Sequence, residues 1–461
     1  PGLPTSWKNK WQLVSYLGRL NYNFQDKYML TATARADGSS KFGANHRWSF
    51  FPSLSLGWML TEEPFMENVE PISQLKLRVS YGETGNSRIG NYESLAQLQV
   101  DNYVLGGQSS INQGVAPQSL ENPDLKWETT TMYNAGLDMG FFDDKLKLTL
   151  DAYYKLTTDL LLWRNVPQTS GFGGSLDNMG ELENKGIELT LQTSPVQGND
   201  FEWNVSANVS RNINKILKLT GDESQEWKIG HPVNVYRLYK VLGIFHTQNE
   251  VENYTYNGEM IQPSAEPGDH KYADVASSDG TASPDGKITG EDQMILGSPQ
   301  PDFSFGLTNT LTYKNFYLSF FLTGMYGREL QNNLFSAHGS NASIREFNKV
   351  SSNLDERAYE NRWTPENKME ATQPKLGGGR QMGRNIQPQD ASYLEIKNVK
   401  LQYNLPKHLI RGIQLTNASV YISAQNLYTF TDYYGFTPDV TSDWGEYPPP
   451  RIFTLGLNIG L

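Results

Sequence analysis

The chain of 461 residues contains no cysteine, which excludes disulfide bonds and thiolate chemistry. Apolar residues make up only 38% of it, below the share of roughly 45–50% in typical globular domains. No apolar run approaches the length of about 18 residues that a membrane-spanning helix needs. A strand of a transmembrane barrel needs only about 9–11 residues, with every second one apolar. The composition therefore excludes helical spans and leaves a membrane β-barrel open.

Basic charge is also scarce. The 39 Lys and Arg residues are outnumbered by 50 Asp and Glu residues, for a net charge of −11, which predicts no nucleic-acid partner because phosphates need a basic face. The six histidines are scattered, and the chain has no His-Glu-x-x-His pair, no Gly-x-Ser-x-Gly elbow and no phosphate-loop lysine. We therefore predict that the chain is not an enzyme and requires no cofactor.

What the sequence does contain is persistent alternation of apolar and polar residues. In Lys145–Leu156 every second residue is Leu, Ala or Tyr, and the other edge carries Lys, Thr and Asp. The same pattern recurs in Gln74–Gly82, Phe201–Ser210, Phe303–Tyr313 and Phe453–Leu461. Several of these segments are about ten residues or longer, against a usual strand of about five or six. They predict an all-β transmembrane antiparallel barrel with apolar edges toward lipid and polar edges inward.

The connections between these strands alternate in length. Short turns are predicted near Gln25–Lys27, Phe142–Asp144, Gln197–Asp200 and Lys314–Asn315. Long loops are predicted at about Gly85–Leu125, Thr157–Met179, Ile213–Asp302, Arg328–Asp390 and Thr431–Pro450. Short turns at one end and long loops at the other are typical of transmembrane barrels.

The number of strands follows from the direction of the first and last. Trp11–Phe24 runs into a short turn, and the last strand must end on the same side, so the count is odd. Placing Val233–Phe245 in a long loop as local β-structure gives about thirteen strands. Because single-chain bacterial barrels have even counts and an open edge in lipid leaves backbone groups unpaired, we expect further N-terminal sequence to precede this chain.

The long acidic loop contains a degenerate calcium motif. Asp285-Gly286-Lys287-Ile288 followed by Asp292 matches the back half of a calcium loop, in which a carbonyl and a closing carboxylate act as ligands. Thr281 and Ser283 stand where the front carboxylates belong. Two interpretations stay open, a solvated Asp/Gly turn or a structural Ca²⁺ site. The candidate ligand residues are Asp274, Asp279, Asp285, Lys287 and Asp292.

The stretch Pro284–Thr308 passes directly from this acidic turn into an alternating strand. Pro299 and Pro301 stiffen the entry, and the alternation begins at Phe303. We interpret the stretch as a boundary between water and lipid, with Phe303 and Phe305 near the outer interface.

Aromatic residues are frequent in the long loops. Their rings can stack on sugars or grip peptides, whereas packing between loops and an interfacial girdle are the alternatives. The candidate substrate-binding residues are Tyr92, Tyr103, Trp163, Phe172, Trp227, Tyr433, Tyr434 and Trp444.

Several phrases, spread over nearly the whole length, resemble the C-terminal part of SusC/RagA-like TonB-dependent outer-membrane transporters. They are "LGRLNYNFQDKYMLTATARADGSSKF" (Leu17–Phe42), "FPSLSLGWMLTEEPF" (Phe51–Phe65), "LKLRVSYGETGN" (Leu75–Asn86), "NPDLKWETTTMYNAGLD" (Asn122–Asp138), "ENKGIELTL" (Glu183–Leu191), "DGKITGEDQMILGSPQPDFSFGLTNTLTYKNF" (Asp285–Phe316), "ASYLEIKNVKLQYNLP" (Ala391–Pro406) and "VYISAQNLYTFTDYYGFTPD" (Val420–Asp439).

The resemblance implies a 22-stranded barrel in the outer membrane of a Gram-negative bacterium, with extracellular loops, of which residues 1–461 supply the C-terminal part. It implies a plug domain inside the barrel, a SusD-like surface lipoprotein as a lid, and TonB as the source of energy. The implied substrates are oligosaccharides or peptides. The chain departs from the pattern because it has no plug, no TonB box and no early strands, because the front calcium ligands are displaced, and because it ends in Leu461 rather than an aromatic residue.

Two other classes fit parts of the pattern. A soluble extracellular β-rich glycan-binding module would bury Leu146, Leu148 and Leu150 against a second sheet. An outer-membrane barrel enzyme would need a nucleophile or paired carboxylates converging in the lumen, and the sequence marks none.

Overall fold

The computed structural model describes residues 8–104, 111–172, 174–219, 227–277, 281–332, 356–375, 387–410, 415–440 and 448–460. The chain divides into two compact units, Pro1–Val233 and Asn234–Leu461.

The first unit is built from long antiparallel strands with two small hairpins. In chain order its described strands are β1 (Leu13–Phe24), β2 (Tyr28–Ser39), β3 (Trp48–Met59), β4 (Ile72–Asn86), β5 (Leu98–Val104), β6 (Ile111–Pro117), β7 (Glu128–Phe141), β8 (Leu146–Thr158), β9 (Leu161–Asn165), β10 (Gly174–Asn178), β11 (Gly180–Gln197) and β12 (Phe201–Leu219). The pairs β5–β6 and β9–β10 stand apart from the sheet that the other eight strands form.

The second unit has long strands and several short pairs. Its described strands are β13 (Tyr236–Tyr239), β14 (Val241–Ile244), β15 (Thr255–Tyr256), β16 (Glu259–Met260), β17 (His270–Tyr272), β18 (Gln293–Gly297), β19 (Phe303–Tyr313), β20 (Phe316–Tyr326), β21 (Glu329–Leu330), β22 (Gln389–Asp390), β23 (Tyr393–Asn404), β24 (Asn417–Thr431) and β25 (Ile452–Gly460). The long strands β19, β20, β23, β24 and β25 complete a single sheet of thirteen strands.

Helices are short throughout the described residues. The α-helices are Gln248–Glu252, Glu356–Asn361 and Lys407–Ile410, and the 3₁₀ helices are Leu60–Glu62, Pro64–Met66, Gln168–Ser170 and Gly290–Asp292. No helix in the described part of the chain has the length and apolar character needed to cross a membrane.

The thirteen-stranded sheet confirms the predicted fold class and strand count. Phe303–Tyr313 has the bounds that the alternation predicted, and Val233–Phe245 contributes only β13 and β14, which lie outside the large sheet. β12 ends at Leu219, beyond the predicted start of the loop at Ile213. The strand is longer than expected because its backbone pairing with β11 continues through Asn212 and Asn214 to Leu219.

Tight turns connect neighbouring strands at one end of each unit. Gln25 and Asp26 between β1 and β2, and Phe142, Asp143 and Asp144 between β7 and β8, have φ values of +54° to +63°. Such left-handed residues suit the right-handed twist of the strands that a hairpin joins.

The apolar edges of the strands face outward. In β25, Leu455 is 78% exposed, and Phe453, Leu457 and Ile459 are exposed as well, while in β8 Leu150 is exposed too. A soluble sandwich would bury these side chains against a second sheet, so the described apolar edges contradict that alternative. A lipid-facing barrel surface has this character.

Aromatic rings gather near the strand ends. Beside the tight turns, Tyr28 stacks on Trp58 with ring centroids 6.4 Å apart in the first unit, and Phe316 lies 4.8 Å from Tyr403 in the second. Aromatic girdles of this kind mark the interfaces in outer-membrane barrels.

Candidate substrate-binding site

A buried aromatic cluster holds the long connections of the first unit. It consists of Phe42, Phe51, Leu125 and Trp127, and we call it the Trp127 cluster. The Trp127 ring lies 4.9 Å from that of Phe42 and 5.6 Å from that of Phe51. Its indole N–H donates to the carbonyl oxygen of Arg47 at 2.9 Å. Three separate segments of the chain are therefore fixed around one side chain.

Glycine is required where two of these segments meet. The amide of Gly43 donates to the carbonyl oxygen of Leu125 at 3.0 Å. A Cβ atom at Gly43 would overlap the carbonyl group of Pro123. The close approach of the two backbones thus depends on a residue without a side chain.

Asparagine amides fasten the hairpin β9–β10 to the same region. Asn178 donates to the carbonyl oxygens of Lys126 at 2.9 Å and Asp159 at 2.8 Å, and accepts from the amide of Lys126 at 2.9 Å. Asn122 donates to the carbonyl oxygen of Leu176 at 2.9 Å. The "NPDLKW" phrase, which also carries the resemblance, is therefore a structural clamp.

Two of the predicted substrate-binding aromatics in the first unit are exposed. Trp163 lies in β9 and is 53% exposed. Tyr92 has a φ of +70°, is partly exposed, and accepts a hydrogen bond from the amide of Lys10 at 2.9 Å. Both rings are available for contact with a ligand.

The other predicted aromatics of the first unit are less accessible or outside the described side chains. Phe172 and Trp227 are half-buried. The backbone of Tyr103 lies in β5, and its side chain is outside the described part of the chain.

Tyr433 serves packing in the second unit. It is 5% exposed and belongs to a cluster with Leu330, Ala391 and Val440. The Tyr433 ring is therefore buried by contacts within the protein, which agrees with the alternative that loop aromatics pack against other loop residues. Tyr434 is half-buried next to it, and Trp444 lies outside the described residues.

A polar pocket of about 220 Å³ opens where β23 and β24 meet the connection before β25. The side chain of Phe436, 50% exposed, gives it an apolar wall. Its polar lining includes Glu395, Thr429, Thr431, Thr437, Asp439 and Arg451. None of these residues was among the sequence-predicted candidates, although Phe436 and Asp439 follow closely after Tyr433 and Tyr434.

Charge in the pocket is internally balanced. Lys397 lies 3.0 Å from the buried carboxylate of Glu395 and 3.6 Å from that of Asp439. The hydroxyl of Tyr393 donates to Asp439 at 3.2 Å. Asn426, with a φ of +51°, donates to the carbonyl oxygen of Pro450 at 3.0 Å and fixes the rim. Hydroxyls, carboxylates and an exposed ring suit a ligand with many hydrogen-bonding groups and one apolar face.

The candidate calcium residues are engaged by the backbone. Asp292 is fully buried, and its carboxylate accepts from the amides of Val275 at 2.8 Å, Ala276 at 3.1 Å and Thr289 at 2.7 Å. It thereby closes the turn at Gly290–Asp292 as a capping residue.

Asp274 and Asp285 play a similar part. Asp274 accepts from the amides of Asp285 at 3.2 Å and Gly286 at 2.7 Å, and Asp285 accepts from the amide of Lys287 at 3.0 Å. No group of three or more His, Asp or Glu side chains among the described residues could hold a metal ion. These carboxylates hold the turn through backbone amides, and Asp279 lies outside the described residues.

Burial affects the tyrosines of the same loop. Tyr239 and Tyr254 pack among Phe245 and Tyr272, and burial raises the pKa of both phenols. Lys271 lies 4.3 Å from the Tyr254 ring. The loop between β12 and β19 thus has a small core of its own.

Comparison with known proteins identifies the family. A model described as "TonB dependent receptor-like, beta-barrel" matches residues 2–427. The chain is 35% identical to TonB-dependent receptor P3 of Formosa agariphila and 32% identical to TonB-dependent receptor SusC of Bacteroides thetaiotaomicron, with 99% of the chain covered in each case. It superposes on the RagAB peptide transporter with a TM-score of 0.80 and 28% identity over 97% of its length.

The chain spans about half the length of these proteins, namely 46% of P3, 44% of SusC and 48% of the RagAB chain. The family model and the curated relatives nevertheless cover nearly all of this chain. The chain therefore belongs to the TonB-dependent receptor-like β-barrel family, whose members are located in the bacterial outer membrane.

Proposed function

We propose that the chain forms the C-terminal part of the barrel of a SusC-like importer in a Gram-negative outer membrane. The observation that carries this proposal is the match to SusC and to the RagAB peptide transporter over 97–99% of the chain. The thirteen long strands with outward apolar edges support it, because they form a wall that holds a polar interior in lipid.

The substrate class we propose is an oligosaccharide or a peptide. Both present many donors and acceptors together with apolar faces, which the pocket around Glu395, Phe436 and Asp439 can bind. The exposed rings of Tyr92 and Trp163 add stacking surfaces in the first unit. We propose that the long connections face the cell exterior, where substrate first arrives.

The proposed partners follow from the SusC/RagA resemblance. A SusD-like lipoprotein would cover the long loops and trap substrate, and TonB would supply the energy for import. In this scheme the chain binds and conducts its substrate without changing its bonds.

Purification of the full-length protein together with its lipoprotein from membranes tests the proposal. Calorimetry would then measure binding of neutral oligosaccharides and of peptides of matched size. Phe436→Ala is expected to weaken binding about tenfold, roughly 1.4 kcal/mol, because it removes one stacking wall. Phe65→Ala is the matched control, since Phe65 is exposed in a 3₁₀ helix beside β4.

Uptake in cells supplies the second arm. Import of the bound ligand is expected to stop when TonB is deleted, while binding to the purified complex remains. Import that persists without TonB, or binding of neither ligand class, would contradict the proposed function.

A further inference from the structure

The outward face of the first unit contains an apolar depression of about 470 Å³. Its floor is formed by Ala135 and Ala152, which are directly paired between β7 and β8. Val79, paired with Ala135, and Leu56, paired with Val79, form one wall. The depression exists because two small residues sit side by side among larger ones.

Tyrosines enclose the depression toward the long connections. Tyr133 is paired with both Tyr81 and Tyr154, and the rings of Tyr81 and Tyr133 lie 5.3 Å apart. The Tyr81 hydroxyl donates to the carboxylate of Glu83 on the same outward face. Tyr rings with engaged hydroxyls are typical of the interface between headgroups and hydrocarbon.

Charged side chains lie level with the tyrosines and just beyond them. Lys185 is paired with Tyr154 across β11 and β8, and its ammonium lies 2.9 Å from the carboxylate of Glu183. Along the outward face of β4 one meets Val79, then Tyr81, then Glu83. A bilayer changes from hydrocarbon to interface to water in the same order.

The outward face of an outer-membrane barrel lies against lipid. Leu56, Val79 and Tyr133 are exposed on this face. Lipid tails are as apolar as leucine, so the depression gains no hydrophobic energy over the rest of the bilayer. The gain comes from van der Waals contact instead. An acyl chain that fills the depression touches lining atoms that would otherwise have no neighbours.

We propose that this depression binds one acyl chain of an outer-membrane lipid, with the headgroup at the level of Glu83 and Lys185. The site selects by shape, and the paired alanines determine that shape. It depends on the outer-membrane location and not on the nature of the imported substrate.

Filling the depression tests the proposal. Ala135→Leu with Ala152→Leu adds two side chains to the floor and leaves the backbone pairing intact. Ala34→Leu is the matched control, because Ala34 is exposed on the same face of β2 and does not line the depression. Heat-dependent electrophoretic mobility would establish that all three proteins are folded.

Native mass spectrometry of the full-length protein in detergent provides the readout. The wild type and Ala34→Leu are expected to retain one lipid that the double variant has lost, and its mass distinguishes a phospholipid from a lipopolysaccharide. Equal lipid retention in all three proteins would overturn the proposal. A dimer of the wild type that the double variant cannot form would also overturn it, because a second copy would then cover the face.

Discussion

Replacing Trp127 by alanine is the sharpest test of how the loops of the first unit are held. The side chain is buried, packs on Phe42 and Phe51, and donates to the carbonyl oxygen of Arg47. Removing a buried Trp or Phe side chain costs about 3–5 kcal/mol. The carbonyl left without its donor adds about 1–3 kcal/mol where water cannot replace it.

This cost is expected to be local. Backbone pairing between β4, β7 and β8 does not involve the Trp127 side chain, so the strands are expected to stay folded in the membrane. The connections around the cluster are expected to open more often. A change of about 3 kcal/mol corresponds to a more than hundredfold loss of protection against amide hydrogen exchange.

Hydrogen exchange with mass spectrometry measures this effect directly. Protection is expected to fall in residues 40–47, 87–104, 111–127, 159–172 and 174–179 and to remain in the strands β19, β20, β23, β24 and β25. Trp127→Phe keeps one aromatic ring but loses the second ring of the indole and its donor, and it is expected to cost less than Trp127→Ala. Trp163→Ala removes an exposed Trp from the same region and should cost less than about 1 kcal/mol. Unchanged protection in Trp127→Ala, or an equal loss in the second unit, would refute the reasoning.

Three further predictions concern single residues. Gly43→Ala is expected to loosen the same connections, because its Cβ would overlap Pro123, and hydrogen exchange in residues 40–47 and 122–127 would detect it. Asp292→Asn is expected to destabilise the loop between β12 and β19 by about 1–3 kcal/mol, because an amide cannot accept every backbone N–H that the carboxylate accepts. Asp285→Asn is the control. Equal shifts of the thermal unfolding midpoint in the two variants would contradict this prediction. The hydrogen bond from Lys375 lowers the pKa of Glu266, so this ion pair stabilises the loop above the ordinary Glu pKa of about 4.3 and its contribution is lost as the pH falls through the lowered value. Protection factors near residues 266–272, which are corrected for the intrinsic pH dependence of exchange, should therefore fall on acidification, and Glu266→Gln should remove that fall.

The strands of the large sheet were predictable because their signal is local. Alternation has a period of two residues, so Phe303–Tyr313 reveals its two faces without knowledge of any other segment. Val233–Phe245 was excluded from the sheet by counting strand directions, and these directions follow from the order of strands and connections along the chain. The extension of β12 to Leu219 was missed because its end is decided by pairing with β11.

The sites depend on contacts between distant segments, and the sequence shows these poorly. Phe42 and Trp127 meet across the clamp, yet nothing in the local pattern around either residue marks the contact. The pocket combines Glu395 from β23 with Phe436 and Asp439 from the connection after β24. One available signal was the break in alternation near Lys397, where β23 changes register between Ile396 and Asn398. Such irregularities often lie near functional sites.

The stretch that leads into β19 shows how one segment meets water and lipid in turn. Asp292 is buried and holds backbone amides of its own loop. Phe303 opens β19, lies on the outward face and stacks on Tyr326 with ring centroids 5.2 Å apart. The acidic residues satisfy loop backbone that no sheet pairs, and the aromatic pair covers the first residues of the strand where the apolar edge begins. The acidic residues thus complete the hydrogen bonding of the loop backbone, and pairing with β20 completes that of β19 from Phe303 onward. Both are needed because every backbone amide must have a partner before the chain enters hydrocarbon.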